Sequence, residues 1–140
     1  MIRAVVDPSV LVSAFIGDPE AGPSRLVAAW ADRRFVLVVS PLLLHELAEV
    51  LTRPKFTRWA GDGRAEAYVA AFRARSEHRV DPPDLASAGV RDPDDDYLVA
   101  LRKDAKADFL VSLDRDLLNA PLSDATVVDP ATFLSSLERY

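Results

Sequence analysis

Four apolar runs constrain this chain more than any other feature: "IRAVVD" at 2–7, "FVLVVS" at 35–40, "DFLVSL" at 108–113 and "ATVVD" at 125–129. A strand with one face in water alternates apolar and polar residues. These runs are too continuous for that, so they predict strands buried on both faces, as in a parallel sheet. Between them, helical patterns are predicted at 9–16, 22–32, 41–52, 64–77, 94–106 and 130–138, each opened by a proline, serine or aspartate. A short fifth strand is expected at "HRVD", 78–81. Strand and helix in alternation give an α/β fold with helices on both faces of the sheet. At 140 residues, 49% of them apolar and with no repeat or linker, the expectation is a single domain over 1–140.

Composition then removes whole classes of chemistry. The chain has no cysteine, so a thiolate nucleophile, a disulfide framework and a zinc ribbon are excluded, and oxygen ligands remain. No run approaches the ~20 apolar residues of a membrane span, and "MIRAVVDPSVLVSAF" meets a polar break too early for a signal peptide. The protein is expected in the cytoplasm with no membrane partner. A formal charge of −5 argues against holding nucleic acid by bulk attraction, which leaves only a local basic strip for that purpose.

The acids are placed unevenly. In an open parallel sheet, ligands gather beyond the carboxyl ends of the strands. Asp7 follows "RAVV" and Asp114 follows "FLVSL", with Asp116 two residues on; each is also an ordinary helix cap or turn residue. Glu46 is harder to explain as surface. In "PLLLHELAEVL" its neighbours three and four residues away include Leu42, Leu43 and Val50, whereas Glu49 faces His45 and Arg53. A carboxylate on a mostly apolar face is costly unless something compensates it. In "RDPDDDYLVAL", at 91–101, Asp92 and Pro93 read as a cap and first helical position, and one or two further acids suffice for the helix dipole. Asp95 precedes Leu98 and Val99 by one turn and can look inward, while Asp94 and Asp96 suit the dipole and solvent; a helix phase shifted by one residue exchanges these roles.

The segments "VVDPSVLVSAF", "SPLLLHELAEVLTRPKF", "RDPDDDYLVAL", "ADFLVSLDRDLL" and "VVDPATFLSSLERY", in this order, resemble the PIN-domain family, and more closely its VapC-like group, the toxin components of type II toxin–antitoxin pairs. The resemblance runs nearly end to end. Each motif alone is a short pattern of acid and apolar residues; the joint order carries the signal. It implies a three-layer α/β/α sandwich around a parallel sheet and an endoribonuclease dependent on Mg2+ or Mn2+. The family's acids fall on Asp7, Glu46, Asp95 with Asp96 beside it, and Asp114, with Asp116 matching a further acid. Ser9 and Ser112 fall on its small polar positions. Pro8 and Leu113 depart from the pattern, where a Thr or Ser and a small or basic residue are usual; neither removes a carboxylate.

On this resemblance Asp7, Asp95 and Asp114 are the expected main ligands, and Glu46 ligates the ion or holds its water. Ser9, Ser112 and Asp116 orient ligands or phosphate. Arg53, Lys55, Arg58, Arg91 and Arg115 are candidates for RNA backbone contacts, although each alone is equally well a solvated charge. The expected partners are an RNA substrate, a cognate antitoxin protein and a second copy in a homodimer. The physics agrees with a cation: carboxylates ~4 Å apart repel by up to ~4 kcal/mol per pair at an effective dielectric of 20, and all-oxygen ligands suit Mg2+ or Mn2+. The antitoxin segment would present a basic residue to the acids and apolar residues to a greasy rim, for which Trp30, Phe56 and Trp59 are candidates. Two other readings stand beside this one. One is a catalytically silent PIN module that only binds. The other is a phosphoaspartyl protein, disfavoured because Ser9 stands where phosphatases of that kind need a second aspartate and because no late strand ends in lysine.

Overall fold

The computed structural model describes residues 1–82, 93–119 and 126–139, with the backbone alone over 93–96. In chain order these residues form β1 (Arg3–Val6), α1 (Pro8–Ile16), α2 (Gly22–Ala31), β2 (Val36–Val39), α3 (Pro41–Leu51), α4 (Thr57–Ala60), α5 (Arg64–Arg75), β3 (Glu77–His78), α6 (Pro93–Ala105), β4 (Phe109–Val111), α7 (Arg115–Leu118), β5 (Val127–Val128) and α8 (Pro130–Leu137). A 3-10 turn at Pro54–Phe56 leads into α4. The strands form one parallel sheet of order β3-β2-β1-β4-β5. The interior residues of β1, β2 and β4 are buried, as their unbroken apolar sequence requires.

Three helices start where a polar side chain and a following proline predict it. Asp7 accepts from the Ser9 amide, Ser40 from Leu43 and Asp129 from Thr132, each beside a proline in the first turn. That amide hydrogen bond holds the Asp129 carboxyl below the usual carboxylate range. The sheet is covered on both faces. Helices α8, α2, α1, α3 and α5 pack one against the next, while α6 packs on β1 and β4. Right-handed crossovers explain the division: the chain moves one way across the sheet from β1 to β3 and the other way from β3 to β4, so α6 takes the opposite face. The result is an α/β/α sandwich. A chain of rings, Phe15, Tyr68, Phe72 and Trp30, with neighbouring centroids 4.5–4.8 Å apart, joins α1, α5 and α2.

The fifth strand lies at Glu77–His78 rather than 78–81, and two short helices, α4 and α7, were not expected. Polar β3 is held by side chains as well as by its ladder. Arg3 donates to both Glu77 carboxylate oxygens and to the carbonyls of Ala105 (2.8 Å) and Lys106 (3.2 Å), tying β1, β3 and the end of α6 together. Arg79 adds a second donor to Glu77 at 2.9 Å. The Arg3 hydrogen bonds, then that of Arg79, pull the Glu77 carboxyl down to about 2 from 4.5 against the opposing effect of burial.

Glu77→Gln is expected to cost about 1 kcal/mol at pH 7, since the pair is partly open to solvent. A folded-state value below the unfolded one makes this contribution complete above about pH 4.5, and it is lost as pH falls toward 2. Melting curves of the parent and E77Q taken from pH 7 to pH 2 should therefore converge at the acid end.

Candidate functional site

The strand order reverses between β1 and β4, and that is where an open parallel sheet leaves a crevice at its carboxyl edge. Asp7 ends β1 there and Asp114 lies three residues beyond β4. Asp7 is the unusual member, only 6% exposed. Its Oδ1 accepts from the Ser9 amide at 2.9 Å and its Oδ2 from the Ser112 hydroxyl at 2.8 Å. Burial raises its pKa above the ordinary carboxylate value, the hydrogen bonds from Ser9 and Ser112 oppose that rise, and the charge of Asp114 adds to it. Among the described residues no lysine or arginine forms an ion pair with it.

Ser112, 0% exposed, links the two acids: while donating to Asp7 it accepts from the Asp114 amide at 2.9 Å. The Asp114 carboxylate in turn caps α7 through the Asp116 amide at 2.9 Å. Asp7, Asp114, Glu46, Ser9, Arg53, Lys55 and Phe56 border one cleft of about 380 Å3. The cleft has acids from three elements and two cations on one wall. Asp116 and Arg115 are exposed on α7 and are not among its lining residues, and Arg58 lies over the Trp59 ring, 4.6 Å from its centroid. Arg91 and the side chains of Asp95 and Asp96 lie outside the described residues. The buried stripe Leu98, Leu101 and Ala105 faces inward as expected.

Glu46 behaves as its apolar neighbours predict and Glu49 as a surface acid. Glu49 is exposed and pairs with His45 at 3.4 Å, whereas Glu46 is half-buried at the cleft. One donor to Glu46 is a residue the sequence did not single out. Tyr97, only 6% exposed, donates its phenol hydrogen to Glu46 Oε2 at 2.6 Å. Burial, then the bond to Glu46, with the charges of Glu46, Asp7 and Asp81, pushes the phenol well above its ordinary range, so it stays a donor. A buried tyrosine needs an acceptor and a half-buried glutamate needs a donor, which is the signal that could have paired them.

The aromatic candidates for a rim divide. Phe56 borders the cleft with Lys55 above its ring, Trp59 packs against the core, and Trp30 is buried at the opposite, amino-terminal edge of the sheet, beside Phe35 and Val36. Among the described residues, the exposed large apolar side chains near the strands' carboxyl ends are instead Leu42 after β2, Val80 after β3 and Leu113 after β4.

Among the described residues, no three acids come together closely enough to form a cation site by themselves. The donor set nonetheless fits a divalent cation. It is all oxygen, and its most buried carboxylate has raised proton affinity and, among the described residues, no ion pair with a lysine or arginine.

Comparison with known proteins follows the same lines. The family model described as PIN domain matches residues 3–116. No curated protein matches the chain by sequence. Among solved structures, PAE2754 from Pyrobaculum aerophilum is 20% identical with a TM-score of 0.68, covering 99% of this chain and 97% of that one. VapBC2 from Rickettsia felis, bound to a DNA fragment from their promoter, is 10% identical with a TM-score of 0.62, covering 91% of this chain and 98% of that one.

Ser112→Ala removes one donor to Asp7 and the acceptor of the Asp114 amide in a buried place. It is expected to destabilise the fold by about 1–3 kcal/mol, read from urea unfolding.

Proposed function

The chain belongs to the PIN-domain family, and from this premise we propose that it is a metal-dependent endoribonuclease, the toxin of a toxin–antitoxin pair. The observation that carries the reading is Asp7, a buried carboxylate that pairs with no lysine or arginine among the described residues and shares its cleft with Asp114, Glu46, Arg53 and Lys55. A carboxylate removed from water is compensated by a partner charge or a metal, and a site that exchanges a proton for a cation supplies that compensation.

Asp7 and Asp114 would hold Mg2+ or Mn2+ with an acid from the first turn of α6, for which Asp95 is proposed with Asp96 beside it. Glu46 would ligate or orient water, and Asp116 would support from α7. Bound there, the cation supplies Lewis acidity and lowers the pKa of water. The chain's own residues do the rest. Ser9 and Ser112 fix the two oxygens of Asp7, and Ser112 also sets the backbone that carries Asp114. Arg53 and Lys55 in the cleft neutralise the substrate's phosphates, aided by Arg91 and, from outside the cleft, by Arg115. An RNA strand would lie with its scissile phosphate over the acids and its backbone along those cations.

The proposed assembly is a homodimer with a cognate antitoxin protein, in the cytoplasm. The VapBC2 neighbour supports a partner, as do exposed Leu42, Val80 and Leu113. Retention of Asp7, Glu46 and Asp114 weighs against a silent module. The order β3-β2-β1-β4-β5 weighs against a receiver, whose sheet runs 2-1-3-4-5.

The test is hydrolysis of structured and single-stranded RNAs with Mg2+, Mn2+ or EDTA. Cleavage is expected with either ion and none in EDTA; equal rates in all three would refute the proposal. Glu46→Gln should lose far more activity than Glu49→Gln, and similar losses would deny Glu46 its role.

Metal and stability are linked as well. A raised folded-state pKa means that ionising Asp7 costs stability as pH rises through it, so Asp7→Asn, which keeps the α1 cap, should melt higher than the parent in EDTA at pH 7. Millimolar Mn2+ should raise the parent's melting temperature by several degrees and the variant's by much less. Calorimetric scans in both conditions check this.

A further inference from the structure

We propose that Tyr97 is a positioning residue for Glu46, holding one carboxylate oxygen so that the other is presented to the cleft. The inference rests on the nuclease reading of the cleft. Its basis is a short hydrogen bond, 2.6 Å from the phenol to Oε2, between residues 51 apart in sequence. The two lie on helices of opposite layers, so Tyr97, in the second turn of α6, reaches over the carboxyl edge of the sheet to α3. The ring is anchored independently of that bond, since it is buried and is followed on α6 by Leu98 and Val99, both 0% exposed.

The direction of support follows from these facts. A glutamate on a helix has three side-chain torsions and, at a cleft, several ways to reach water. A buried tyrosine has two and is held by packing. The bond therefore transmits the order of the ring to the carboxylate, as outer residues order metal-ligating groups. Tyr97 does not touch the reacting phosphate; it acts through Glu46. It also joins α6, whose first turn carries Asp94, Asp95 and Asp96 in sequence, to the helix that carries Glu46.

The test uses the full chain and Mn2+ alone as probe. Binding is followed by electron paramagnetic resonance of free Mn2+ for the parent, Tyr97→Phe, Glu46→Gln and the double variant, beside melting temperatures in EDTA and RNA cleavage rates. Tyr97→Phe keeps the ring and is expected to weaken Mn2+ binding by ~10-fold, within the ~10–100-fold range for a residue that orients a ligand. The double variant should bind Mn2+ no more weakly than E46Q, because the phenol then has no carboxylate to hold. Parent-like Mn2+ binding by Y97F overturns the proposal, and so does a loss that adds in full to that of E46Q. A parent that neither binds Mn2+ nor cleaves RNA overturns the nuclease reading, and this inference with it. An active parent with an unaffected Y97F overturns the inference alone.

Discussion

An ionised carboxylate removed from water must be compensated, and most of the local structure at the carboxyl edge follows from doing so at Asp7. Two hydrogen bonds reach its two oxygens, one from the backbone of α1 and one from a serine beyond β4. They do not cancel the cost of burial, because the pKa remains raised. What is left over is an appetite for positive charge. The nearest cations of the cleft, Arg53 and Lys55, stand on its wall rather than on the acid. Had either formed an ion pair with Asp7, the fold would be more comfortable and the site would have nothing left to offer an ion.

The topology turns that local demand into a cleft. Reversal of strand order between β1 and β4 separates the connections that leave these strands, since α1 leads across the sheet toward β2 and the chain after β4 toward β5. The gap between them is bordered by whatever ends the strands, and here that is acid. Glu46 enters from α3, after the neighbouring strand β2, and the cations Arg53 and Lys55 follow beyond the end of that helix. Trp30 sits at the amino-terminal edge of the sheet, at the other end from the cleft, and packs against Phe72 of α5.

What was legible in the sequence was whatever a single segment determines. Buried parallel strands declare themselves by failing to alternate, and Asp7, Ser40 and Asp129 each announce a helix with a proline after them. Glu46 declared itself against Glu49 because helix phase is local. Tyr97 did not, since its partner is 51 residues away and nothing near it in sequence asks for a donor. The strand at Glu77 was misplaced for the same reason: two polar residues at a sheet edge are fixed by Arg3, 74 residues earlier. Helices α2 and α6 end in left-handed residues, Arg33 and Lys106, where glycine would have marked the stop. Asp7 shows the limit most plainly. Its cap is real, and so is its place in the cleft, and a local reading could justify only the first.

The Ser112 hydroxyl bonded to Asp7 joins residues 105 positions apart. Contacts of that separation close only after most of the chain is available, because loop entropy is spent before they form. During synthesis, β1 can pair with β2 long before β4 exists, and until β4 arrives Asp7 has neither its serine nor its neighbouring acid. A truncated or half-folded chain thus lacks an assembled site altogether. Whatever the cleft does, the part that Asp7, Ser112 and Asp114 play in it begins only with the finished domain.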